Sequence, residues 1–125
     1  MKSLLDDVRA FHEAFGVDIR AAPGFPAPER VLLRKKLVYE EIAEFSAACA
    51  SGDLPGVADA LADAIYVLVG TALEFGIPLD RVWDEVQRSN MAKADPLTGK
   101  AIKREDGKVL KPSGWTPPDI AGCLE

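Results

Sequence analysis

The chain has 125 residues, 48% of them hydrophobic, with a formal net charge of −5. That length suits one domain of ~100–150 residues, and the apolar fraction is enough to close a core. It has no run approaching the ~20 apolar residues of a membrane span, its acidic balance speaks against duplex nucleic acid, and its start, MKSLLDDVRAFHEAFG, carries acids and an aromatic where a secretory leader stays apolar, so the cytoplasm is the expected compartment.

Ser3 is placed to cap a first helix, with Asp6 at its third position, Asp7 behind it and Gly16 to end it. His12, the only histidine, stands near Phe11 and Phe15 and reads as packing or surface rather than catalysis. The following AAPGFPAP holds three prolines and a glycine in eight residues, which excludes a helix and makes it a crossing loop. A second helix is expected from about Pro28 to Ala50. A third follows, capped by Asp53 with Pro55 in the tolerated first turn, and runs to about Phe75. FGIPLD turns into a fourth, Leu79 to about Ala94. The expected architecture is an all-α, four-helix bundle in a single domain. Beyond Ala94, Asp106-Gly107 lies between short β-compatible runs and marks a hairpin, because that pair accepts the positive φ angles of such turns. The closing PSGWTPPDIAGCLE is proline-rich and expected to be extended, with Trp115 its only large aromatic. Cys49 and Cys123 show no metal spacing, Cys49 reading as a small core residue and Cys123 lying in the tail.

The second helix contains LVYEEIAEFSAAC, in which Glu41 and Glu44 interleave with the apolar stripe of Leu33, Leu37, Phe45 and Ala48, and Glu40 borders it. Isolated carboxylates are expensive to bury, so something has to compensate them. The third helix is apolar nearly all round from Leu61 to Val69, the mark of a central helix, yet Asp59 and Asp63 share one of its faces with Val67 and Gly70. One such acid alone reads better as a solvated flank or as the partner of a base such as Arg34. Several on two helix faces, with no equal set of buried bases, point to a divalent cation instead. Carboxylate oxygens suit Mg²⁺ or Mn²⁺, whose usual companions are substrate phosphates.

The inward stripe of the fourth helix, Leu79, Val82, Trp83 and Val86, continues to Asn90 and Lys93, where an amide and an ammonium can meet phosphate oxygens or hold a carboxylate. From Lys93 to Lys111 the chain carries six Lys/Arg against three acids. Lys103, Arg104, Lys108 and Lys111 in that segment suit one small polyanion such as a triphosphate.

Together these residues resemble the MazG-like all-α nucleoside triphosphate pyrophosphohydrolases and the related phosphoribosyl-ATP pyrophosphohydrolase-like proteins. That family carries EExxE on one helix, ExxD on the next, then an Asn/Lys element. EEIAE matches the first part, DAIYVLVG is similar to the segment after the family aspartate, and SNMAK to the third part. KREDGKVLK and WTPPD also resemble the tail of one branch. The ExxD element departs: with Asp63 as its aspartate, the glutamate position holds Ala60, and Asp59 stands one residue earlier. The resemblance implies Mg²⁺ held by Glu41, Glu44 and Asp63 with Asp59 assisting, Glu40 on the attacking water, and Asn90 and Lys93 on phosphate, joined by the basic segment. It further implies hydrolysis of a nucleotide to its monophosphate and pyrophosphate by a homodimer or homotetramer. The alternative is a non-catalytic helical interaction module whose site has decayed.

Overall fold

The computed structural model describes residues 3–95 and 97–125. They are mostly helical, with one small antiparallel hairpin, and fall into two compact units, Met1–Leu79 and Asp80–Glu125.

In the first unit, α1 (Leu4–Phe15) begins where the Ser3 side chain accepts the Asp6 N–H and ends at Gly16 in the left-handed conformation. α2 (Pro28–Ser51) places its proline in the first turn, where the missing N–H is harmless. Gly52 closes α2, and the Asp53 carboxylate accepts the Gly56 N–H to open α3 (Leu54–Glu74). So short a link makes α2 and α3 an antiparallel pair, and a Cβ on Gly56 would lie 3.2 Å from the Ala48 Cβ. The proline-rich loop is stitched to the end of α3: Arg20 N donates to Leu73 O and Gly24 N to Phe75 O, both at 2.9 Å. Gly76, with φ +66°, packs against the Ala22 carbonyl, where a side chain has no room.

The core is small. Val8 of α1 meets Val69 and Leu73 of α3, flanked by Leu5, Ile19 and Leu79. Beside it lies a buried ionic network. Glu74, with no side-chain exposure, takes Arg30 at 2.8 Å and Arg34 at 3.1 Å. Arg34 also donates to Thr71 Oγ1 at 3.0 Å and to Val67 O at 2.7 Å. His12 is buried, its Nδ1 at 3.1 Å from Asp18 O, in accord with a packing role. The face of α3 opposite Asp63 is uncovered: Leu61, Ile65 and Leu68 are about half exposed. By length and composition α3 could cross a membrane, yet it carries Asp59, Asp63 and the ion-paired Glu74. Cys49 is exposed, not a core residue, because its helix position turns away from α3 while Ala48 is buried.

In the second unit, α4 (Leu79–Met91) is followed by strands β1 (Ile102–Lys103) and β2 (Val109–Leu110), paired in register Ile102↔Leu110. Only Gly107 of the expected Asp106-Gly107 pair has positive φ, +87°. The connection is a turn from Arg104 to Gly107 closed by Gly107 N to Arg104 O, with Arg104 N donating to Lys108 O, so a single left-handed residue suffices. The tail differs from the extended segment expected. It ends in a short helix, α5 (Ile120–Cys123), because the Asp119 carboxylate caps Gly122 N, and Cys123 is buried with Sγ 3.8 Å from Arg81 O. Glu85 of α4 fastens the same segment by accepting from Asp119 N at 3.0 Å while it holds Arg88 at 2.8 Å.

Candidate active site

Residues three apart on a helix are surface neighbours, so α2 presents Glu41 and Glu44 together. Asp63 comes to them from α3, and one oxygen of each carboxylate lies within 4.8 Å of the other two. Glu41 and Asp63 are half-buried and Glu44 is exposed, which leaves the group open to solvent on one side.

The Glu41 carboxylate is crowded by its neighbours. Its Oε2 is buried and has no hydrogen-bond partner among the described residues. Burial first, then the charge and hydrogen bonding of Glu44, then the charges of Asp63 and Asp59 hold its carboxyl above the usual carboxylate range. Arg34, the base that might have neutralised this group, is committed to Glu74 and to α3 carbonyl and hydroxyl oxygens. Three carboxylates that converge with hard oxygens, one of which carries a buried oxygen without a partner, fit a Mg²⁺ or Mn²⁺ ion.

The other expected acids stand outside the triad. Asp59 is exposed and reaches the group through its charge on Glu41. Glu40 is exposed on α2 next to Glu41. Ala60, at the glutamate position of the ExxD pattern, is 2% exposed, so the missing carboxylate has been replaced by a packed methyl group. In the second unit Lys93 Nζ donates to Asn90 Oδ1 at 3.0 Å. Lys103, Lys108 and Lys111 are exposed, and Arg104 is engaged by Asp106 at 2.6 Å. Two features leave only weak signals in the sequence. Glu74 is the true partner of Arg34, signalled by Arg30 and Arg34 standing one turn apart on α2. Trp115 is gripped through its indole N–H by Ser89 O at 2.6 Å, and the signal there was the turn-forming KPSGW.

The profile of the phosphoribosyl-ATP pyrophosphohydrolase family matches residues 8–90, a span that holds Glu40, Glu41, Glu44, Asp59, Asp63 and Asn90 and stops short of Lys93. No curated protein matches the chain. The match covers well over half of the sequence, and the chain therefore belongs to the phosphoribosyl-ATP pyrophosphohydrolase family, within the MazG-like all-α pyrophosphohydrolases.

Proposed function

We propose that the protein is a Mg²⁺-dependent nucleotide pyrophosphohydrolase that cleaves the α–β phosphoanhydride of a nucleoside triphosphate, a deoxynucleoside triphosphate or a related nucleotide such as phosphoribosyl-ATP. The reading is carried by one observation, the convergence of the Glu41, Glu44 and Asp63 carboxylates, and the buried, unpartnered Glu41 Oε2 supports it. Those three residues hold the cation, for which Mn²⁺ can substitute, and Asp59 adds negative charge nearby. Once bound, the cation supplies charge neutralisation for the phosphate oxygens as the anhydride opens.

The remaining work belongs to side chains. Glu40 orients the attacking water and accepts its proton, as a solvent-facing carboxylate adjoining the cation site can. The water oxygen bonds to the α phosphorus while the bond to the bridging oxygen breaks, so pyrophosphate leaves with the electron pair. The Asn90 carbonyl is occupied by Lys93, which leaves its amide N–H groups to donate to a phosphate oxygen, and the Lys93 ammonium supplies charge. Lys103, Lys108 and Lys111 add to the positive field, and Arg104 joins only by releasing Asp106. The protein acts in the cytoplasm as a homodimer or homotetramer, an assembly supported by the uncovered Leu61, Ile65 and Leu68.

Incubation with a panel of ribo- and deoxyribonucleotides and phosphoribosyl-ATP, with Mg²⁺, tests the reading. At least one should yield pyrophosphate and a monophosphate. Release of orthophosphate in its place, or no pyrophosphate from any of them, overturns it.

A further inference from the structure

Four bases of the second unit differ in their partners. Arg88 is neutralised by Glu85 at 2.8 Å and Arg104 by Asp106 at 2.6 Å. Lys93 and Lys111 make no ion pair among the described residues, and both come to the same aromatic ring. Lys111 Nζ is 4.5 Å and Lys93 Nζ 5.6 Å from the centroid of Trp115, inside the range of a cation–π contact. The two ammonium groups thus lie no more than about 10 Å apart.

The backbone is built to hold that ring. Trp115 N donates to Pro112 O at 3.1 Å, and Gly114 takes φ +82°, the positive value such a turn needs at its third residue. This turn brings Lys111 round beside Trp115. At its other edge the indole N–H bonds Ser89 O at 2.6 Å, where Ser89 is itself buried near the end of α4. Lys93, one turn further on, is held by the neutral Asn90 amide. Ring and amide fix two positive charges without cancelling either, so the charge stays available to an outside anion.

We propose that Trp115 is a positioning residue that sets Lys93 and Lys111 as a paired-ammonium clamp for an anion with two or three linked phosphates. Trp115 and both lysines lie beyond residues 8–90, the span that the family profile matches. The choice of a polyphosphate as ligand rests on the pyrophosphohydrolase reading, whereas the clamp rests on the unit's own geometry.

Trp83, expected on the inward stripe of the fourth helix, is instead 68% exposed, and Trp83→Phe leaves Trp115 as the sole tryptophan. In metal-free buffer, inorganic tripolyphosphate should change the emission of that protein saturably, pyrophosphate more weakly, and an uncharged nucleoside not at all. Lys111→Ala and Lys93→Ala should each weaken tripolyphosphate binding about tenfold, the loss of one charge-assisted contact. Lys100→Ala, in the same basic segment, should change it less than about twofold. By calorimetry, Trp115→Leu should weaken it as much as losing a lysine, and Trp115→Phe, which keeps a ring, should recover part of the loss. A silent tryptophan, an equal response to the nucleoside, or equal losses for Lys100→Ala and Lys111→Ala overturns the clamp. If the catalytic reading alone is wrong, tripolyphosphate still titrates Trp115 while no nucleotide is hydrolysed. If the clamp alone is wrong, pyrophosphate is released with an unchanged KM in Lys111→Ala.

Discussion

At the scale of single residues, Glu41 links the site to stability. Its carboxyl titrates higher in the folded chain than in the unfolded one because burial and three neighbouring acids penalise its charge. The folded state therefore binds the proton more tightly, and this contribution to stability is complete below the unfolded pKa and is lost as pH rises through the folded pKa. A cation that binds only the folded protein acts in the opposite sense above that window. Thermal melts should accordingly fall with rising pH in chelator across the interval above the ordinary glutamate pKa. Mg²⁺ at a hundredfold excess over its Kd should raise the melting temperature by roughly 10 °C at neutral pH. Asp63→Asn removes one charge and keeps the shape, so it should melt higher than wild type in chelator and gain little from Mg²⁺. A wild type indifferent to Mg²⁺, or an Asp63→Asn protein that melts lower in chelator, would count against the cluster as a cation site.

At the scale of elements, helices with local stop and start signals were legible in the sequence. Ser3, Gly16, Asp53 and Pro28 each satisfy or spare backbone groups within their own turn, so no distant information is needed. The spacing that puts Glu41 beside Glu44 is equally local, and Asp63 joins them because a tight link forces α3 back along α2. Pairing between helices leaves only weak signals in the sequence. The one-turn spacing of Arg30 and Arg34 is compatible with several acids, and the packed structure shows Arg34 spent on Glu74. The exposure of Cys49 and the helical end of the tail escaped for the same reason, since both depend on which neighbour arrives. The α2–α3 contact gives a sharp test. A Cβ on Gly70 would stand 2.6 Å from Arg34 Nη2 and 2.9 Å from His12 Nε2. Arg34 is fixed by Thr71, Val67 and Glu74 and cannot yield freely. Gly70→Ala should thus destabilise the fold by ~1–3 kcal/mol, read as a lowered denaturation midpoint, although alanine is the better helix former. A midpoint at or above that of wild type would mean the network is loose.

At the scale of the whole molecule, α3 has one face in use and one to spare. Its acids and Glu74 look to α2, while Leu61, Ile65 and Leu68 remain about half exposed. A row of large aliphatic side chains on one face of a 21-residue helix, here between Leu61 and Leu68, is the kind of surface that a second copy covers. Sedimentation should give a dimer or tetramer for the wild type, and Leu68→Asp should shift it towards monomer because a carboxylate resists burial there. A monomeric wild type at micromolar concentration would contradict the proposed assembly. The claim on which the function stands is that the α2 and α3 carboxylates hold the cation for phosphoanhydride hydrolysis. It is tested most directly by pyrophosphate release from the best nucleotide substrate, compared between wild type and Glu44→Gln in Mg²⁺ and in chelator. The amide is nearly isosteric but lacks the charge a hard cation needs. Wild-type turnover should vanish in chelator, and Glu44→Gln should lose about a hundredfold or more in Mg²⁺ with its helical circular dichroism unchanged. Near-normal turnover by Glu44→Gln, or wild-type activity that survives chelation, would contradict the account.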